Sequence, residues 1–339
     1  MIFDADWVAE GWMRLAFTRT IAAFFLVVLP GCATVAVAVA PRKAAHPAGT
    51  EGAAKADAAF WYALHGGHYE DIDAVLEPLT REYLAHPEDP HLAAHVAFLH
   101  VWRLGERARL AHPRATVTDD ITLARRYFEE AALLVPDDPR FRGFLASLTM
   151  AEGSIHHEEG ITRRGYFEMR DAVSSWPEFN LFTRGYVLSS QPADSDRFRS
   201  ALADQWKNLD VCFDAPVDRI HLDLAPFSKL ETTTGWKRAC WNSWIAPHNV
   251  EGFLLNLGDM IVKSGEPAIA RGVYGQAKLS KGYGTWPYRA VLERRMVQAE
   301  ENVALFRSPP SEGPLAVGGD RERRIMFETP FACMGCHQE

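Results

Sequence analysis

The chain has 339 residues, and its 44 acidic against 36 basic side chains leave a formal charge of −8. A mildly acidic chain without a Lys/Arg run is a poor candidate for nucleic-acid binding. Apart from one short run near the N-terminus, no stretch is apolar enough over enough length to suggest a membrane span. Met1 to Trp12 is acidic, with Asp4, Asp6 and Glu10. Met13 is followed by Arg14, Arg19 and the apolar run Ile21 to Leu29. Basic residues ahead of a short apolar run are the first two regions of a secretory signal, too short to remain as a transmembrane helix. Acid ahead of the arginines suits no export signal, so the signal is expected to start at Met13.

The run ends in Leu29-Pro30-Gly31-Cys32. This resembles the lipobox of bacterial lipoproteins. The resemblance implies a signal peptide over residues 1–31, a lipidated Cys32 as first mature residue, and a periplasmic or cell-envelope protein anchored to the membrane. An ordinary signal cleaved within Ala33 to Ala40 would export the chain equally.

From Ala33 to about Asp57 the sequence is Ala-rich, with Pro41, Pro47 and Gly49, and reads as a flexible tether over 32–57. From Ala58 helical spacing begins. Phe60, Trp61 and Leu64 precede a break at Gly66-Gly67, and Ile72, Val75, Leu76, Leu79, Tyr83 and Leu84 mark an amphipathic helix. His86-Pro87-Glu88-Asp89-Pro90 stops it and starts the next, with Leu92, Val96, Leu99 and Trp102 on one face. Arg103 to Val117 reads as a loop, and Thr118 is placed to cap a helix running to Leu134. Val135-Pro136-Asp137-Asp138-Pro139 repeats the punctuation before Phe141, Phe144, Leu145 and Leu148.

Further helices are expected over Ile155–Ser174, Phe179–Leu188 and Arg197–Leu209. A long connection from Cys212 to Thr234 leads to the aromatic stretch Trp236–Trp244. Asn249–Val262 and Ala268–Leu279 then form a helical hairpin, and a final helix spans Tyr288 to about Phe306. The recurring unit resembles the tetratricopeptide family, in which paired antiparallel helices stack into a superhelix. Gly67-x-Tyr69 before Ala74, the closing Pro87 and Pro136, and Leu257-Gly258, Gly265-Glu266-Pro267, Ala270, Tyr274 and Pro287 carry the likeness. It covers about 60–85, 118–150 and 250–305, with irregular spacing between. The resemblance implies an all-α helical-hairpin solenoid over 58–308 followed by an irregular tail, 309–339.

That tail has little core-forming capacity of its own and ends in Cys333-Met334-Gly335-Cys336-His337. C-x-x-C-H is the attachment signature of a c-type haem. Two thiols three positions apart share a face of a helical turn, where each can bond one porphyrin vinyl group, and His337 becomes the proximal iron ligand. Export and covalent haem attachment belong to the same compartment in bacteria. The alternatives are a redox-active or structural Cys pair, or half of a zinc site. Five cysteines then divide into Cys32 for lipid, Cys333 and Cys336 for haem, and a candidate disulfide Cys212–Cys240. For a distal ligand His248 is the first choice, with Met260, His95 and His100 behind it.

His91 and His95 have a metal-holding spacing, with Glu88 one turn earlier, and His156-His157 is a weaker metal candidate. Trp236, Trp241, Trp244, Tyr283 and Trp286 could line a groove or simply pack a core. Arg321, Arg323 and Arg324 could face haem propionates or solvent. The chain has no Gly-rich phosphate loop, H-E-x-x-H or G-x-S-x-G, so no conventional hydrolase or kinase is expected. Two functions are expected: electron transfer through haem c with a protein partner, or a peptide-binding scaffold lipoprotein with a tail disulfide. A thiol–disulfide enzyme lacks the βαβ pattern that would surround its motif.

Overall fold

A computed structural model describes residues 34–105, 116–241, 249–308, 323–329 and 331–337. Two units are distinguished, Met1–Ala44 and Ala45–Glu339. In the first, residues 34–38 are helical and Val35, Val37 and Val39 are exposed. The second is all-α, with no strand among the described residues and no helix long and apolar enough to cross a membrane.

Helix α1, Glu51–Gly66, starts where Thr50 accepts the Ala53 N–H at 3.1 Å and ends at Gly67 in the left-handed conformation, φ 69°. The tether expected to run to Asp57 therefore stops at Thr50. Its last residues are alanine-rich, and Ala53 and Ala56 are buried beside Phe60. Alanine is the best helix former but leaves no large-apolar period to read.

Helices α2, Ile72–Ala85, and α3, Pro90–Gly105, follow. Asp89 caps α3 by accepting the N–H groups of His91 and Leu92 at 2.8 and 3.1 Å, and Pro90 takes the first-turn position that needs no donor. Asp138 and Pro139 repeat the device for α5, Pro139–Ile155, after α4, Val117–Leu134. The helix expected over 155–174 is displaced, because α5 runs through Ile155 and α6 covers Glu159–Ser175. His157, at φ 57°, turns the chain between them. Helices α7, Pro177–Leu188, and α8, Asp196–Phe213, complete this part.

Each helix packs mainly on its neighbours in the chain, and the short connections make those neighbours hairpins. A row of phenylalanines crosses the pairs, with ring centroids 5.2 Å apart for Phe98–Phe128, 5.1 Å for Phe128–Phe144 and 5.7 Å for Phe144–Phe179.

After the connection bridged by Cys212–Cys240 come α9, Val250–Ser264, and α10, Pro267–Gln276. The expected last helix is two, α11, Arg289–Val297, and α12, Ala299–Arg307, separated at Gln298. The tail then behaves differently from expectation. It is irregular, but Ile325, Met326, Phe331, Met334 and Cys336 are all buried in the main core.

Candidate functional site

The C-terminal motif forms one helical turn. Gly335 donates to the Phe331 carbonyl at 2.8 Å, and His337 to that of Cys333 at 3.1 Å. This is the backbone form the spacing calls for if both sulfurs are to serve one group. Both residues remain thiols, Cys333 half-buried and Cys336 only 2% exposed. The His337 ring is half-buried, with Nδ1 shielded from solvent.

Three separate parts of the fold hold the turn. Asn249, just ahead of α9, donates its backbone N–H to the Cys336 carbonyl at 2.9 Å. The Trp286 indole donates to the Gly335 carbonyl at 3.1 Å, and the Tyr186 hydroxyl on α7 to that of Ala332 at 2.7 Å. Tyr288 stacks on Phe331 with centroids 4.9 Å apart. Two helical glycines make room for the sulfurs. A Cβ at Gly105 would come 2.7 Å from Cys333 Sγ, and one at Gly252 2.6 Å from Cys336 Sγ. Burial pushes the Cys336 thiol pKa up, and the negative charge of Glu251 adds to it. In this conformation Cys336 is a protected thiol, poorly suited to be a redox nucleophile.

The donor set fits a c-type haem: two thiols on one turn, an imidazole directly after them, and a glycine close to each sulfur. The other cysteine pair is already used, since Cys212 and Cys240 are bonded with Cα atoms 5.8 Å apart.

The remaining candidates separate clearly. Cys32, Trp244, His248 and Arg321 lie outside the described residues. Met260 is fully buried with Asn256 Nδ2 3.6 Å from its sulfur, and it sits two helical turns beyond Gly252, about 12 Å along the axis. His95 Nδ1 meets Asp57 at 2.8 Å while its ring stacks on Phe60, and His100 Nδ1 meets Asp120 at 3.0 Å. Burial and the hydrogen bonds from His100 and Arg103 act in opposite directions on Asp120, and the hydrogen bonds prevail, holding its carboxyl below the usual range. These histidines are part of how α1, α3 and α4 pack.

Among the described residues no group of three or more His, Cys, Asp or Glu side chains is gathered to hold a metal. His91 faces Phe141, and Asp89, its acidic neighbour, is occupied in capping α3. Arg324 turns along the tail, to the Ser308 carbonyl at 3.2 Å and toward Glu328 at 3.9 Å. Trp236 packs edge-on to Trp176, and Tyr283 bonds Glu293 at 3.2 Å; neither lines the cavity that Trp241 and Trp286 share. That cavity, of about 420 Å³, lies beside the motif.

Sequence reasoning missed Tyr186, Gly105, Gly252 and Glu251. Tyr186 stands 146 positions from its partner, and nothing local marks it. Gly252 left a signal, since an isolated glycine inside a helical pattern can have a packing reason, whereas Gly105 fell in a stretch read as a loop. No protein-family model matches the chain, and no curated protein and no solved structure matches it either.

Proposed function

We propose that this is an exported, lipid-anchored protein that carries one haem c on Cys333 and Cys336 and passes single electrons to or from a protein partner. His337 is the proximal ligand in this reading, Cys32 the lipid site, and no nucleic acid is involved. The observation that carries it is the turn at 333–337, with both sulfurs kept as thiols although Cys212 and Cys240 are oxidised. When bound, the iron supplies reversible one-electron chemistry, tuned by its axial ligand and its burial. The chain's own part is orientation and exclusion of water. Asn249, Trp286 and Tyr186 fix the three carbonyls of the turn, so the imidazole that follows is held from a rigid base.

The test is a pyridine haemochrome spectrum of protein exported in a host with cytochrome c maturation. A c-type α band that survives acid–acetone extraction is expected, at one haem per chain. His337→Ala should abolish the native low-spin spectrum. Absence of haem, with Cys333 and Cys336 recovered as a disulfide, would remove the model. A second reading has its own support. A groove of about 580 Å³ between α1, α3 and α5, walled by Trp61, Phe98 and Phe144, suits a peptide-binding scaffold, for which His337→Ala would change nothing.

A further inference from the structure

The cavity beside the motif is bounded by α7, α8, α9 and the segments around residues 239–241 and 279–286. Phe182, Phe213, Phe253, Leu254, Trp241 and Trp286 give it an apolar and largely aromatic wall. At about 420 Å³ it is in the size range of small-molecule sites, which combine such walls with a few placed polar groups.

Two polar groups face it. Glu251 is 3% exposed, and no hydrogen bond or ion pair joins its carboxylate to any described residue. The indole N–H of Trp241 is buried and has no acceptor. The first is the more telling, because holding a carboxylate on an apolar wall carries a desolvation cost that a cationic ligand would offset. Glu251 stands in the first turn of α9, where the helix dipole offsets part of that cost.

The neighbourhood selects the sign of the missing partner. Glu178 and Glu231 join Glu251 on the lining, against Lys281 alone, and Lys281 already pairs with Glu231 at 2.9 Å. Gly282 keeps the carboxylate approachable, since a Cβ there would stand 2.9 Å from Glu251 Oε1. Indole faces attract cations as well.

We propose that this cavity binds a small organic cation, an ammonium group on an aromatic or aliphatic body, with Glu251 as its counter-ion. Cys333, Cys336 and His337 are absent from its described lining, although Asn249 and Trp286 belong both to its wall and to the seat of the turn.

Benzylammonium is the probe, titrated calorimetrically into the exported full-length protein, with benzyl alcohol and benzoate as neutral and anionic counterparts. Saturable one-to-one binding is expected, at least tenfold tighter for benzylammonium than for either counterpart. Glu251→Gln should weaken it at least tenfold, and Ala239→Phe, which narrows the cavity and leaves the carboxylate in place, should do the same. Circular-dichroism melts establish that each variant folds. The proposal is overturned by absence of saturable binding, by equal affinity for benzoate, or by unchanged binding in Glu251→Gln. Should that variant not fold, undiminished binding in Ala239→Phe overturns it instead.

Discussion

The helices before the disulfide-bridged connection and the part after it use buried polar groups in opposite ways. In α1–α8 neutral amides tie together helices that already satisfy their own backbones. Asn180 Nδ2 reaches the Pro139 and Ala172 carbonyls at 3.1 and 3.0 Å, Gln205 the Phe182 carbonyl at 3.0 Å, and Asn208 that of Glu178 at 2.8 Å. The buried pair Arg184–Asp204 also joins two adjacent helices, α7 and α8. Beyond the connection, buried charge is directed at a segment with little regular structure. Asp259, fully buried, accepts from the Tyr274 hydroxyl at 2.6 Å and from the Met326 N–H at 2.8 Å, and it faces Arg295 at 3.3 Å. Arg295 in turn donates to the Arg324 carbonyl. Regular helices need only be held together. An irregular tail has to be told where to lie, and directional acceptors inside the core do that.

The largest expected effect tests this contrast directly. Asp259→Ala leaves Arg295 buried without its counter-charge and strands the Met326 N–H, so it should cost about 3–5 kcal/mol. Asn180→Ala removes neutral hydrogen bonds only and should cost about 1–3 kcal/mol. Urea midpoints measure both. In haem-free protein, iodoacetamide should label Cys336 readily in Asp259→Ala and remain slow in Asn180→Ala. Equal labelling in the two variants would erase the distinction between the regions.

A smaller effect sharpens the comparison at the tail's contact with α9. A methyl group at Gly252 would stand 2.5 Å from the Gly335 carbonyl oxygen and 2.8 Å from Cys336 Cα, both backbone atoms that cannot swing aside. Overpacking costs about 1–3 kcal/mol, and the better helix propensity of alanine returns about 1 kcal/mol. Gly252→Ala should therefore destabilise by up to about 2 kcal/mol and speed alkylation of Cys336. Gly272 on α10 has open space where its Cβ would be. Gly272→Ala should carry the opposite sign, a gain of about 0.5–1 kcal/mol, and leave Cys336 protected. Calorimetric melting of the pair decides it.

The same division governs what the sequence made legible. Pro-acid-acid-Pro at 136–139, with the matching Pro-acid-acid-Pro at 87–90, named two helix starts correctly, because capping is local chemistry. Apolar spacing placed α2, α4 and α9 to within a few residues. The turn at 333–337 was legible as a spacing, since three residues in a fixed order carry it. Its seat was not. Tyr186, Trp286 and Asn249 act through contacts set by the whole fold, and no periodicity records which helix end meets which tail carbonyl. The burial of Ile325 and Met326 was missed for a related reason. A few apolar side chains among Gly, Pro and Arg build no core alone, yet they complete one that the helices leave open.

The most local effect belongs to the start of α1, the boundary that composition placed too late. Thr50 accepts the Ala53 N–H at 3.1 Å, and Ala53 and Ala56 lie against the core. Removing a threonine cap costs about 1 kcal/mol, so Thr50→Ala should lower the urea midpoint by a corresponding amount. If residues 45–57 were a tether, the same substitution would change nothing. Because α1 is held by its own cap and its own neighbours, the loss should stay local. Labelling of Cys336 by iodoacetamide should match the parent protein, unlike Gly252→Ala. A variant at Thr50 that exposed Cys336 would mean that the two regions unfold together, and the polar staples beneath the tail would then be coupled to the first helix rather than independent of it.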